Sequence, residues 1–337
     1  MQLLAIKDNR PGHYNQTEGL ILSLKEIHPH ITIEYLDVQI TNSLCRKILK
    51  MLLNTFPSFF EKPLSLKLAK LFYKTPITPQ NTPDLIISTG GNTAGLNAWL
   101  RKIYHCKNIL NGKLRGLNEN HFTAVTTVID LGYSNQIILD VAPSIITALL
   151  LQEKSHLFCK QHAIPEHNEY YTLLIGGNGA GYTYNDSFYD HIIGFVKHIT
   201  HEINIKWLIS TSRRTPIDVE SRLHDALEAE SIYFVAFHHS PEQVLTPFLG
   251  LAKRIFVTEE SSSMISEAIA ANKEVFTLGI DTNKADENYR TILKKFEYEG
   301  KIKRIDIMQE NPSLACHFHL SQTDYYKKTG LLLKQFI

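Results

Sequence analysis

The chain has 337 residues, above the size at which single hydrophobic cores stop growing, so two domains are expected. Hydrophobic residues make up 43% and charged residues 20%, the balance of an ordinary globular protein. Lys and Arg number 35 against 34 Asp and Glu, a net charge of +1, so no overall field argues for DNA or RNA as a partner.

Four cysteines, Cys45, Cys106, Cys159 and Cys316, lie far apart, which argues against a disulfide framework and against a zinc site and fits a reducing cytoplasm. The 16 histidines are scattered, and neither His28-Pro29-His30 nor His238-His239 brings the carboxylate or cysteine partners of a metal site. Lys7 and Asp8 come too early for a signal-peptide core. No apolar run approaches the roughly 18 residues of a membrane span. The expectation is a cytoplasmic protein without a bound metal, touching membrane only peripherally, at the inner face.

In chain order, Leu3–Ile6 reads as a buried strand and leads into the loop Lys7–His13, where Pro11-Gly12 forces a tight turn. A polar loop at the carboxyl end of a first strand is where open α/β sheets take ligands. His13 is the side chain there whose ordinary pKa suits a general base. Leu20, Ile21, Leu24 and Ile27 repeat at helical spacing, and Ile31–Leu36 supplies a second strand.

Ser43–Lys74 differs in character. Arg46, Lys47, Lys50, Lys62, Lys67, Lys70 and Lys74 are interleaved with Leu49, Met51, Leu52, Leu53, Phe56, Phe59, Phe60, Leu66, Leu68, Leu71, Phe72 and Tyr73. Such a segment either lays its apolar face on an anionic membrane or packs that face into the domain and leaves the lysines in water. Pro76–Pro83 reads as a loop. The strand Asp84–Ser88 runs into Thr89-Gly90-Gly91-Asn92-Thr93 and a helix from Ala94, so paired glycines sit where backbone amides approach a ligand. Strands at Phe122–Ile129 and Ile137–Val141 and a helix at Ala142–Leu151 continue the alternation, and the polar segment His162–Tyr170 reads as the linker between domains.

A fresh strand, Tyr171–Ile175, ends in Gly176-Gly177-Asn178-Gly179-Ala180-Gly181, a candidate phosphate cradle. It does not follow G-x-G-x-x-G and lacks an acidic ribose partner about 20 residues on, which disfavours NAD(P). After the helix Asp186–Ile203, the strand Ile205–Ile209 ends in Ser210–Pro216, where Ser212, Arg213 and Arg214 offer hydroxyl and guanidinium donors suited to a diphosphate. A helix at Ile217–Ala229 and a strand at Ile232–Phe237 precede the His238 loop. Arg254–Leu278 then reads as strand, capped turn, helix and strand. Ser261, Ser263 and Met264 stand at the start of that helix, and Glu267 is placed to accept from ribose hydroxyls. The loops at Gly176, Arg213, His238 and Ser261 would share one edge of a parallel sheet and together suit a nucleotide or sugar-diphosphate.

Several of these stretches resemble one family. Asp8-Asn9-Arg10-Pro11-Gly12-His13-Tyr14-Asn15-Gln16 looks like the D-x-R-P-G-H-x-N-Q opening of the mitochondrial-fission "extra-large mitochondria" family, which is also widespread in bacteria. Thr211–Pro216 is similar to its T-S-R-R-T-P, Leu174–Gly177 also matches, and Val257–Ala268 resembles its V-T-x-D-S-x-S-M-x-S-E-A with Glu260 in place of the usual aspartate. The family often carries arginines after the first loop glycine, where this chain has Gly91-Asn92-Thr93. More distantly, the order of elements is similar to GT-B glycosyltransferases, particularly the peptidoglycan enzyme that adds N-acetylglucosamine to a lipid-linked precursor.

The resemblances imply an α/β fold of two Rossmann-like domains in a GT-B arrangement with a cleft. The expected boundaries are 1–165 for the acceptor-side domain, 166–320 for the nucleotide-sugar domain and 321–337 for a tail helix packing back on the first domain. They imply metal-independent glycosyl transfer from a nucleotide sugar to a lipid-linked or envelope acceptor, without a further cofactor. His13, with Asp8, forms the catalytic set. Arg10, Gly90, Gly91, Asn92, Gly176, Gly177, Asn178, Ser212, Arg213, Arg214, Ser261, Ser263, Met264 and Glu267 form the binding set. Two other readings stay open, a non-catalytic membrane-associated adaptor that keeps the fold and an NAD(P)-dependent epimerase or dehydrogenase. The sequence does not fix the oligomeric state.

Overall fold

A computed structural model describes residues 1–75, 77–280, 284–309, 314–315, 317–320 and 324–337, so Pro76 and Cys316 lie outside the described residues. The chain divides into two compact units, Met1–Ile145 with Thr323–Ile337, and Ile146–Gln322.

The first unit is built on β1 (Gln2–Lys7), α1 (Pro11–Ile27), β2 (Thr32–Asp37), α2 (Ser43–Thr55), α3 (Ala69–Phe72), β3 (Leu85–Thr89), α4 (Ala94–Tyr104), β4 (Lys107–Asn111), β5 (Ala124–Thr127) and β6 (Gln136–Ile138). The six strands form one sheet in the order β2-β1-β3-β4-β5-β6, and every pair is parallel. β1 lies inside the sheet between β2 and β3 and helices cover both faces, so Leu3, Leu4, Ala5 and Ile6 are buried without alternation, as the continuous apolar run requires. Pro11 opens α1 with its φ already helical and no amide to waste, and Asn42 caps α2 by accepting from the Cys45 amide at 2.8 Å.

Between α2 and α3 the chain makes two 3-10 turns, Pro57–Glu61 and Pro63–Leu68. They dock on Trp99 of α4, which is fully buried. Phe60 meets its ring edge-on at 4.9 Å and Phe72 at 6.3 Å, and its indole N–H donates to the Ser65 hydroxyl at 2.9 Å. The Ser43–Lys74 segment therefore does pack into the domain, through Leu49, Leu53, Phe60 and Phe72. Leu44, Ile48 and Met51 form a second apolar stripe on α2 that faces outward, and Phe56, Phe59, Leu64, Leu68 and Leu71 are exposed with it.

The second unit comprises α5 (Ala148–His162), β7 (Tyr170–Leu174), α6 (Asp186–Ile203), β8 (Lys206–Ser210), α7 (Ile217–Leu227), β9 (Ser231–Val235), α8 (Leu245–Leu251), β10 (Ala252–Thr258), α9 (Ser262–Ala270), β11 (Glu274–Gly279), α10 (Glu287–Tyr298) and β12 (Lys303–Asp306). Its six parallel strands run β12-β11-β10-β7-β8-β9, the order of a Rossmann sheet. Aromatic side chains fill its centre, with Phe256 stacked on Phe276 at 4.9 Å and against Trp207 at 5.1 Å. The last helix, α11 (Tyr325–Leu333), belongs to the first unit and packs along α1, where Gly330 lets the backbones of the two helices approach.

The structure divides the chain about 20 residues earlier than the expected boundary at 165. The helix expected at Ala142–Leu151 starts only at Ala148, because Thr147 caps it by accepting from the Leu150 amide. The residues before the cap are held in the first unit, where the Ser144 carbonyl accepts from the Tyr326 hydroxyl at 2.9 Å. α5 spends its buried face on the second unit, with Phe158 edge-on to Phe248 at 5.5 Å and to Tyr233 at 5.1 Å. The segment expected as a linker lies inside that unit, its Pro165 carbonyl accepting from the Tyr170 hydroxyl at 2.7 Å.

Trp99 anchors both 3-10 turns and fills the space beneath α2. Trp99→Ala should lower the unfolding free energy by about 3–5 kcal/mol, the usual cost of deleting a large buried aromatic, read as a shifted urea midpoint with an unchanged slope. A loss below about 1 kcal/mol would mean the turns hold themselves.

Candidate functional site

In a doubly wound sheet, ligands are taken at the carboxyl edge where the strand order changes direction. In the first unit that point lies between β1 and β3, and the loops that leave these strands are Asp8–Arg10 and Gly90–Thr93. The candidate pair Asp8 and His13 lies here. Nδ1 of His13 is 3.0 Å from Oδ2 and 3.1 Å from Oδ1 of Asp8. Asp8 also accepts from the Asn92 side-chain amide at 2.9 Å and from the Arg10 N–H at 3.3 Å. Its carboxylate is only 2% exposed. Burial pushes its pKa up, but the bond and charge of His13, the Asn92 amide and the Arg10 N–H outweigh that and hold it below the ordinary value.

The imidazole lies flat over the Gly90 backbone, which turns with φ +84°, and a Cβ at that position would run into the ring. Gly90 thus gives the histidine its seat. A Cβ on Gly91 would lie 3.3 Å from the side chain of Arg115, so that side chain packs against the next residue of the turn. Asn92 is tied on both sides, because Arg46 donates to its Oδ1 at 2.8 Å while its amide serves Asp8. The Arg10 side chain is exposed and its part in the loop is through the backbone. Arg46 and Arg115 join this site from outside the two motif loops. Arg46 comes from α2 and Arg115 from the turn after β4, and no local pattern in the sequence links either to His13.

In the second unit the order reverses between β7 and β10, and Gly176–Gly181 and Glu259–Ser263 leave these strands. The two loops are fastened to each other. The Gly176 amide donates to the Thr258 hydroxyl at 2.8 Å, and the Gly177 amide to Glu260 Oε1 at 3.3 Å. Glu260 is buried and paired with Arg214 at 2.8 Å. Burial raises its pKa even with Arg214 beside it, and its second oxygen, Oε2, has no partner among the described residues. The Gly177 amide and the Arg214 guanidinium are therefore engaged by the chain's own carboxylate, and the Gly176 amide by the Thr258 hydroxyl. Glycine at 176 is required because Glu260 occupies the space of a side chain. Asn178 is exposed, and its side chain accepts from the Tyr184 amide at 2.9 Å.

The remaining residues of the set differ in exposure, with Arg213 in water and Ser261 and Glu267 buried. Arg213 is exposed and makes no ion pair among the described residues, and Ser212 is half-buried beside Thr215. Ser261 precedes α9 without using its hydroxyl as a cap, so the first amides of the helix, at Ser262, Ser263 and Met264, have no intrahelical acceptor. Glu267 stands on the same helix and is 5% exposed. The His238 loop is braced rather than open. Glu220 accepts from the His238 amide and pairs with His239 Nδ1, both at 2.9 Å, and takes the Thr211 hydroxyl as well. Among the described residues no group of three or more His, Cys, Asp or Glu could hold a metal ion, and no helix is long and apolar enough to cross a membrane.

Two Rossmann-like parallel sheets, each with its reversal of strand order, define a GT-B fold. Residues 11–324 match the family model described as mitochondrial fission ELM1, and the chain belongs to that family. An uncharacterised protein of Rickettsia prowazekii (strain Madrid E), RP120, is 24% identical over 311 residues, covering 82% of each chain. Among solved structures, the UDP-GlcNAc 2-epimerase of Neisseria meningitidis bound to UDP-GlcNAc is similar with a TM-score of 0.55 at 13% identity, over 99% of this chain and 92% of that one. The UDP-GlcNAc 2-epimerase of Methanocaldococcus jannaschii matches with the same score, 0.55, at 14% identity over 99% and 100%. At such identities the likeness is one of fold.

A carboxyl whose folded pKa lies below its unfolded one adds stability above the unfolded value, about 3.9 for Asp, and loses it as pH falls through the folded one. Wild type and Asp8→Asn should therefore differ in urea midpoint at pH 7, by roughly 1–3 kcal/mol, and the gap should close as the pH is lowered below about 4. A gap that stays constant down to pH 2.5 would refute the assignment of the low pKa to Asp8.

Proposed function

We propose that the protein transfers a sugar from a nucleotide-activated donor to an acceptor hydroxyl, with the second unit holding the donor and the first presenting the base. The observation that carries this reading is the Asp8–His13 pair at the strand-order reversal of the first unit. A buried carboxylate on Nδ1 fixes the ring's orientation, so Nε2 is the nitrogen offered to an acceptor hydroxyl. As the hydroxyl oxygen attacks the anomeric carbon, its proton passes to Nε2 and the bond to the departing nucleoside diphosphate breaks.

At the donor rim, Arg213 and the first amides of α9 are the groups that would meet the diphosphate, and Glu267 would accept from the ribose. Gly176, Gly177 and Arg214 would act indirectly, because Glu260 locks them into the shape that presents Asn178 and Arg213. The UDP-GlcNAc bound to the Neisseria protein of similar fold supports a nucleotide sugar as the ligand here. The Gly176–Gly181 turn departs from the dinucleotide pattern, which weighs against NAD(P).

A peripheral membrane position fits the first unit. Lys47, Lys62, Lys67, Lys70 and Lys74 are exposed around the outward stripe of Leu44, Ile48 and Met51 and the exposed Phe56, Phe59, Leu64 and Leu71. Apolar side chains ringed by lysines suit an anionic bilayer surface, where the former enter the headgroup boundary and the latter meet lipid charge. The same face would serve a non-catalytic adaptor of the family, and the experiments separate the two.

A nucleoside diphosphate or nucleotide sugar held about 100-fold above its dissociation constant should stabilise wild type by roughly 2.7 kcal/mol, read as a thermal shift. Glu267→Gln and Arg213→Gln should abolish the shift. His13→Ala should leave it intact while slowing transfer by about 10²–10⁴-fold. Wild type that no nucleotide stabilises would leave the adaptor.

For the membrane face, sedimentation with phosphatidylcholine vesicles containing phosphatidylglycerol should pull down wild type at low salt. Met51→Gln with Leu71→Gln should weaken this by about tenfold or more, since two exposed apolar side chains that would enter the headgroup boundary are lost. Equal binding of the double variant would rule the face out.

A further inference from the structure

The His13 site carries more positive charge than the fold needs. Arg46 and Lys50 stand one turn apart on α2 and are both half-buried, and Arg115 reaches the same place from the turn after β4. Lys50 donates to the Arg115 carbonyl at 2.9 Å, Arg46 donates to Asn92 Oδ1 at 2.8 Å, and the Arg115 side chain lies against Gly91. Arg46 and Arg115 thus border one turn, Gly90–Asn92, with Lys50 held against the backbone of Arg115, and the same turn seats His13 and bonds Asp8.

Among the described residues none of the three forms an ion pair, although Lys102, Lys253 and Lys301 elsewhere in the chain find carboxylates. The acceptors that Arg46 and Lys50 bond, the Asn92 amide oxygen and the Arg115 carbonyl, are neutral. The three cations also repel one another, since burial first, and then Arg46 and Arg115, push the Lys50 pKa down. Gathering like charges at a partly desolvated place costs stability, and a fold keeps such an arrangement where an anion is to be received.

The turn that brings Arg115 is itself held in an unfavourable conformation. Arg115 has φ +49°, outside the usual range for a residue with a side chain, between Gly112 and Gly116, whose φ values are +111° and +91°. Two bonds from α2 fasten it there, Lys50 to the Arg115 carbonyl at 2.9 Å and the Asn54 amide to the Gly116 carbonyl at 2.8 Å. The strain and its fastening aim the guanidinium at Gly91.

We infer that Arg46, Lys50 and Arg115 form a phosphate subsite beside His13, so that the acceptor is a phosphorylated or diphosphorylated molecule whose hydroxyl is presented to the histidine. The assignment of the acceptor rests on reading His13 as the base, but the anion subsite itself is measured without turnover. Guanidinium forks from two directions and one ammonium match a phosphate or diphosphate better than a carboxylate, which would occupy one fork alone. The phosphate can belong to a soluble molecule or to a lipid headgroup.

The test is equilibrium binding, by titration calorimetry at low salt, of inorganic pyrophosphate and of farnesyl diphosphate to wild type, Arg46→Gln, Lys50→Gln, Arg115→Gln and the donor-side variant Arg213→Gln. All four positions are exposed or half-exposed, and a circular-dichroism melt confirms that each variant folds. Each of the three first-unit variants should weaken the tighter pyrophosphate binding by about tenfold or more, the usual loss of a charge-assisted contact, while Arg213→Gln, which can remove only a separate site on the donor rim, should leave that binding in place. Farnesyl diphosphate bound more tightly than pyrophosphate, and lost in the same variants, assigns the lipid source, and equal affinity assigns the soluble one. Affinity unchanged in the three variants, or lost only in Arg213→Gln, overturns the subsite. Because none of these readings involves a nucleotide, they remain interpretable if the donor reading fails its own thermal-shift test.

Discussion

Everything at the candidate sites follows from one constraint, the parallel pairing of every strand in both sheets. Parallel strands must each be followed by a crossover, so all their carboxyl ends share one edge and all the loops that leave them crowd there. Where the order of strands turns back, at β1/β3 and at β7/β10, the helices that follow go to opposite faces and leave a crevice between their starts. Segments far apart in the chain meet at that place without any local reason to do so. Asp8 and Asn92 bond across 84 residues, and Gly177 and Glu260 across 83.

The two crevices are filled differently. In the second unit the chain supplies its own anion, the buried Glu260 carboxylate, to Arg214 and the glycine turn. A carboxylate taken from water is costly, and the guanidinium and the Gly177 amide offset that cost, so the loop is set before any ligand arrives. In the first unit the buried Asp8 carboxylate is held by neutral donors and by His13, and Arg46, Lys50 and Arg115 nearby form no ion pair among the described residues. One crevice is electrostatically closed upon itself and the other is open. That contrast underlies placing preorganised donor contacts in the second unit and an unsatisfied positive subsite in the first.

Ser43–Lys74 shows the same economy. The segment has two apolar faces rather than one. Leu49, Leu53, Phe60 and Phe72 close over Trp99 and complete the core, while Leu44, Ile48 and Met51 form a stripe that no part of the described unit covers. The choice posed by its composition, between core and surface, was therefore no choice at all, and the helix that carries the outward stripe also carries Arg46 and Lys50.

The sequence by itself determined the alternation of strands and helices, because continuous apolar runs such as Leu3–Ile6 and Leu173–Ile175 belong only in the middle of covered parallel sheets. It also picked out the loops, since glycine pairs, Pro11 and the run of serines before α9 are local signals of turns and helix starts. The division of the chain was beyond it, because α5 reads as an ordinary helix and only its packing against α8 and Tyr233 assigns it to the second unit. Equally beyond it were the commitment of Gly176, Gly177 and Arg214 to Glu260, and the arrival of Arg46 and Arg115 beside His13. Side chains from separate crossovers become neighbours only once the sheet has set the order of its strands, and that order is a property of tertiary packing that no local pattern encodes.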